Sequence, residues 1–241
     1  MQDRTLVERL DARVAKWHLL GHPFYQAWTA GTLKREALEL YAEQYYHHVR
    51  EFPRNLRTFA ARTEGELRDT IEENLAEEEN PSAPHPKLWR KFAGALGVSE
   101  EKMAASVPLP GIEKLLETYR RLAAEGRPSA AVAALYVYEA QVPEIATQKI
   151  EGLRRFYGLT EPRALAYFAV HEEADVRHRA AWRQWLEQQP AEEAEPALRA
   201  GEEALRALWG ALDAVTPEGC SGLRPPQQPA SFDCAQDKAA R

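Results

Sequence analysis

His171, Asp175 and His178 stand four and three residues apart in "HEEADVRHRAAWRQW", a stretch with the period of one long helix. That spacing puts all three on one face. The same register runs back to Phe168 and forward to Trp182 and Trp185, so three ionisable groups lie between aromatic ends. Burying such groups is costly unless they meet partner charges or a metal. On this helix alone a structural ion-pair network competes with a metal site, and the aromatic flanks favour the metal.

Other segments show the same pattern. Val132, Leu135, Glu139, Val142 and Ala146 step by three and four, which places Glu139 in an apolar stripe. Leu67, Ile71, Leu75 and Glu78 share a face. Beyond Glu78, Pro81 and Pro84 break the helix and leave His85 on an extended turn that folds back. Glu78, His85, Glu139, His171, Asp175 and His178 together supply three carboxylates and three imidazoles, a donor set suited to iron or manganese, with carboxylates able to bridge two ions. Glu78 taken alone, within Glu77–Glu79, reads more often as a solvated helix end. None of the histidines has a Glu three residues before it, so the Glu-x-x-His pattern of ferritin-like sites is missing. His47 and His48 read as core or cavity-lining groups. His18 and His22 cap helices or line a cavity, and Arg177 and Arg179 read as solvated charges.

The elements that must position these groups are helices. Long periodic segments with few internal glycines or prolines predict helices over 3–19, 22–30, 33–61, 64–79, 86–96, 110–125, 129–157, 161–188 and 196–215. Residues 97–110 form a connection with one short turn. Pro143 cannot donate to the carbonyl of Glu139, which predicts a kink there. The class is all-α, with one domain over 1–215. The proline-rich remainder, 216–241, is expected to be a disordered tail dispensable for metal binding.

Composition narrows the function. The chain has 241 residues, 44% of them hydrophobic, enough for one substantial core. A net charge of −6 argues against general nucleic-acid binding. Apolar runs are too short for a membrane span, and no secretory signal is evident, so a cytoplasmic protein is expected. Both cysteines, Cys220 and Cys234, fall in the tail, leaving the predicted core without a thiolate ligand or cysteine nucleophile.

"HPFYQAW" (22–28), "YAEQYYHHVREFPRNL" (41–56), "NLAEEENPSAPHPKLW" (74–89), "YVYEAQVPEIATQKIEGL" (136–153) and "HEEADVRHRAAW" (171–182) resemble the family of the Chlamydia protein associating with death domains. That family sits among the haem-oxygenase-like dimetal oxidases, related in fold to the TenA thiaminases and the PqqC quinone-cofactor oxidase. The resemblance covers about residues 5–190. It implies a seven-helix haem-oxygenase-like bundle with an Fe/Fe or Mn/Fe centre on the same six residues. It also implies dioxygen as co-substrate, an external electron donor, and oxygen-dependent formation of para-aminobenzoate for folate supply without chorismate. In that family a tyrosine of the chain gives the ring and a lysine the amino nitrogen; the matching residues are Tyr25 and Lys149, with Tyr41, Tyr138 and Tyr167 as further tyrosines near the metals. A homodimer is common among such relatives. An oxidase of the same fold acting on an external substrate would use the same ligands, and a non-enzymatic interaction protein would need no metal. A TenA-type thiaminase needs a cysteine that the core lacks.

Overall fold

A computed structural model describes residues 4–216 of the chain. Within them the backbone forms eleven α-helices and two short 3₁₀ turns: α1 Leu6–Lys16, α2 Pro23–Ala30, α3 Arg35–Ala60, α4 Gly65–Glu78, α5 His85–Ala95, α6 Glu100–Ala105, α7 Pro110–Glu125, α8 Pro128–Glu139, α9 Val142–Phe156, α10 Pro162–Glu187 and α11 Ala194–Asp213, with 3₁₀ turns at Leu19–Gly21 and Ala191–Glu193. The expected tail, Cys220 and Cys234 included, lies outside the described residues apart from Thr216.

The count exceeds the nine predicted segments for identifiable reasons. The predicted helix over 129–157 is two helices, since the chain goes beyond a kink and breaks at Ala140–Gln141. Pro143 has no N–H for the carbonyl of Glu139, and the amide N–H of Gln141 donates to Tyr138 rather than to Val137. The side chain of Gln141 takes the vacated place and donates to the Val137 carbonyl at 2.8 Å. In the connection 97–110, Ser99 caps a short helix, α6, by accepting from the Lys102 N–H. His85 is the first residue of α5 rather than part of an extended turn, because Pro86 is tolerated in a first turn.

The two longest helices, α3 and α10, carry the polar interior. Around them Phe24, Trp28, Tyr41, Trp89, Phe92, Phe168 and Trp182 are almost completely buried. Helices α2 and α9 pack closely because Gly152 has no side chain: a Cβ there would lie 2.6 Å from Trp28 Cδ1. The indole N–H of Trp28 donates to the Lys149 carbonyl across the same contact. Gly152→Ala is therefore expected to force α2 away from α9 and destabilise the fold by about 1–3 kcal/mol, read from the midpoint of denaturant unfolding. An unchanged midpoint would mean that the two helices are not in this contact.

Candidate metal centre

The fold brings the six residues into two buried triads. Glu78, at the end of α4, and His85, at the start of α5, meet His171 of α10. Glu139, at the end of α8, meets Asp175 and His178 of α10. Within each triad one donor atom per residue lies within 4.8 Å of the others. Asp175 is one turn beyond His171, so the triads are neighbours, about 6 Å apart along the α10 axis.

Hydrogen bonds account for only part of this arrangement. His85 Nδ1 lies 2.9 Å from Glu78 Oε2 yet makes no hydrogen bond, and Asp175 Oδ2 and His178 Nε2 are likewise buried without a partner. His178 Nδ1 is 3.6 Å from Asp175 Oδ1 and 3.8 Å from Glu139 Oε2, too long for hydrogen bonds. Buried groups normally find partners; here they converge on common points instead. Three carboxylates and three imidazoles fit two divalent cations in charge and in donor type. The donor set and its orphaned atoms thus fit a dinuclear metal centre.

Neighbouring groups hold individual members in place. His171 Nδ1 donates to the Tyr167 carbonyl at 2.6 Å, which fixes the tautomer and leaves Nε2 free as a metal donor. Burial, then the nearby His85, lowers the His171 pKa to about 3, so the ring is neutral at ordinary pH. Glu139 accepts from Trp182 Nε1 at 2.6 Å and from Asn74 Nδ2 at 3.1 Å. In the sequence Trp182 reads only as an aromatic flank, and Asn74 passes unremarked although it stands one turn before Glu78 on α4.

Without metal, the second triad holds protons. Burial, followed by repulsion from Asp175, raises Glu139 to about 8. Burial also raises Asp175 to about 6. Burial alone would lower His178, but Asp175, Glu139 and Glu77 outweigh it and lift His178 to about 9. A metal ion must displace those protons. The apparent affinity of this triad is therefore expected to rise steadily from pH 6 to pH 9, with proton release on metal binding visible by calorimetry in buffers of different ionisation enthalpy. An affinity independent of pH over that range would contradict the assignment.

Beside the first triad lies a cavity of about 30 Å³, lined in part by His171, Tyr25, Lys149, Tyr45, Tyr138 and Tyr167. Lys149 and Tyr25 are 7% and 3% exposed. The Lys149 Nζ donates to the Tyr41 hydroxyl at 2.7 Å, and that hydroxyl lies 3.4 Å from the hydroxyl of Tyr25. The Lys149 Nζ is also 5.3 Å from the ring centre of Tyr25 and 5.2 Å from that of Tyr41. Burial lowers the Lys149 pKa to about 7 and raises those of the Tyr25 and Tyr41 phenols. Tyr138 shares a hydrogen bond with Tyr45 at 3.2 Å, and the Tyr167 ring packs on His171.

The remaining histidines stay outside the triads. His48 is enclosed by the rings of Tyr45, Phe52, Tyr119 and Tyr138, and His47 bonds to Ser106. His18 sits 3.4 Å from Glu144, and His22 caps α2. Arg177 pairs with Glu77 at the surface.

Residues 39–211 match the model of a family described as iron-containing redox enzymes. The chain is 38% identical to a 4-aminobenzoate synthase of Chlamydia muridarum over 218 residues, covering 90% of this chain and 92% of that one. It is 36% identical to a 4-aminobenzoate synthase of Nitrosomonas europaea over 236 residues, covering 92% and 96%. Among solved structures, a Shewanella denitrificans domain of unknown function with a haem-oxygenase-like fold superimposes with a TM-score of 0.75 at 21% identity, covering 87% of this chain and 91% of that one. A CADD-like protein of unknown function from Nostoc punctiforme gives 0.72 at 17% identity, covering 87% and 95%. These two show the fold. No helix among the described residues is long and apolar enough to cross a membrane.

Proposed function

The chain belongs to the iron-containing redox enzyme family, and from that premise we propose that it is a cytoplasmic, oxygen-dependent 4-aminobenzoate synthase that takes the ring from its own Tyr25 and the amino nitrogen from Lys149. Set against a tyrosine side chain, 4-aminobenzoate keeps the ring, carries a carboxylate at the former Cβ and an amino group in place of the phenolic oxygen. The two triads, Glu78–His85–His171 and Glu139–Asp175–His178, would hold Fe/Fe or Mn/Fe. When bound, the metals supply the activation of dioxygen with electrons from an external donor.

The observation that carries this reading is the size of the cavity between Tyr25, Lys149 and His171. At about 30 Å³ it holds roughly one or two waters. That is too little for an external aromatic substrate, whereas an aromatic ring already forms its wall. Tyr41 bridges the amine and the Tyr25 phenol, which keeps the nitrogen beside the carbon it must reach. Only a neutral amine is nucleophilic, and with a pKa near 7 Lys149 reaches that state at ordinary pH, unlike a solvated lysine. Leu19, Val142, Ile145, Ala146 and Phe168 supply the apolar part of the lining and exclude bulk water from the oxidation.

A chain that gives up its own ring acts once. Mass spectrometry of the intact and digested protein before and after exposure to Fe(II), Mn(II), reductant and oxygen should show changes confined to the two peptides holding Tyr25 and Lys149. Those changes should be equimolar with the 4-aminobenzoate formed. Product in large excess over chains, with the protein mass unchanged, would replace this reading with an oxidase of an external substrate.

A further inference from the structure

Helix α2 carries Tyr25 but contributes nothing to either triad, and a histidine fixes its start. His22 is completely buried, and both of its ring nitrogens are engaged. Nδ1 accepts from the Phe24 N–H at 3.0 Å, while Nε2 lies 3.0 Å from Oδ1 of Asp213, the last residue of α11. A backbone N–H can only donate, so Nδ1 is an acceptor; the ring proton must sit on Nε2, which donates to Asp213. The ring also lies edge-on to Trp209, with centroids 4.7 Å apart.

Capping alone does not call for histidine. Ser, Thr, Asp or Asn caps a helix well, but none combines that bond with one to a second helix from a fully buried position as this imidazole does. The segment ahead of the cap is tied too. The Leu19 N–H donates to Gln141 Oε1 at 2.8 Å, and Gln141 lies in the α8–α9 break, two residues beyond Glu139. The entry to α2 is thus held at one end by α11 and at the other by the chain next to the second triad. His22, Tyr25 and Asp213 all fall outside residues 39–211 matched by the family model.

We propose that His22, bonded through Nδ1 to the Phe24 N–H and through Nε2–H to Asp213, is a positioning residue that sets Tyr25 against Lys149. This rests on Tyr25 being the source of the ring. Its protonation would remove the acceptor for the Phe24 N–H; burial, which outweighs the Asp213 carboxylate, keeps the His22 pKa below its ordinary value. Among the described residues, no other ionisable side chain is hydrogen-bonded to the ring.

The test compares full-length Asp213→Ala and Asp213→Asn, expressed with ring-deuterated tyrosine. Asparagine keeps an oxygen that accepts from Nε2–H; alanine keeps none. Asp213→Ala should retain its metals, lose at most a few degrees of Tm from the unpaired Nε2–H, and release about ten- to a hundredfold less labelled 4-aminobenzoate, the scale expected for a misplaced reacting group. Asp213→Asn should restore release close to that of the unaltered chain. In ¹⁵N-histidine spectra of the full chain before iron loading, His22 should show the Nε2–H tautomer in all three proteins, with its Nε2 resonance shifted in Asp213→Ala, where the acceptor is lost, and close to the unaltered position in Asp213→Asn. Normal release from Asp213→Ala, equal loss in both variants, or loss of metals together with product would overturn the proposal. Unlabelled product from the unaltered chain would instead strike the Tyr25 reading, while the ¹⁵N measurement would still report on the His22–Asp213 pair.

Discussion

Tyr25→Phe and Lys149→Met are each expected to abolish 4-aminobenzoate release while two metal ions stay bound. Tyr25→Phe removes one oxygen from a ring that is otherwise packed by Phe24 and Trp28. The lost contact is a long one, 3.4 Å to Tyr41, so the cost to stability should fall at or below about 1 kcal/mol. Lys149→Met keeps an unbranched apolar chain and deletes the amine. Lys149→Arg has no releasable amine either, but it brings a permanent charge into a buried pocket, which makes methionine the cleaner variant. Metal analysis and a product assay on the same samples decide the outcome. Product at the unaltered level from either variant would remove that residue from its role. Tyr41→Phe should slow release without abolishing it, because Tyr41 holds the amine and gives up no atom.

His171→Ala is expected to lose the metal ion of the first triad, and His178→Ala that of the second. Each substitution leaves two carboxylate or imidazole donors, too few for tight binding in a buried site. The two variants should differ in the metal-free state. Removing His171 takes away a neutral ring, whereas removing His178 takes away the cation that offsets Glu139 and Asp175. His178→Ala should therefore push those carboxylates further toward protonation and raise the pH needed to load any metal. Metal content per chain by elemental analysis gives the answer. Two ions bound in both variants would contradict the ligand assignment.

Much of the candidate metal centre is legible because its spacing is local. His171, Asp175 and His178 lie within two turns of one helix, and Glu139 stands out as a charge inside an apolar stripe. Their convergence with Glu78 and His85 depends on how α4, α5 and α8 pack against α10, and the residue types only suggest it. Asn74 and Trp182 carry no such signal, because the pattern shows the face each occupies and not the Glu139 carboxylate it meets. The break after Glu139 follows partly from Pro143. Its completion depends on the Gln141 side chain replacing a backbone bond, which no periodicity reveals. The grouping of Tyr25, Tyr41 and Lys149 comes from three helices and is carried in the sequence only by family resemblance. The bond between His22 and Asp213 spans almost the whole described chain, so only the folded structure discloses it.

The most direct test of the central claim is isotopic. Protein expressed with ring-deuterated tyrosine and ε-¹⁵N-lysine is loaded with Fe(II) and Mn(II), then exposed to reductant and oxygen with no free amino acids present. If the chain supplies its own substrate, the released 4-aminobenzoate carries both the ring deuterium and the ¹⁵N. Product bearing neither label would show that ring and nitrogen come from outside the protein.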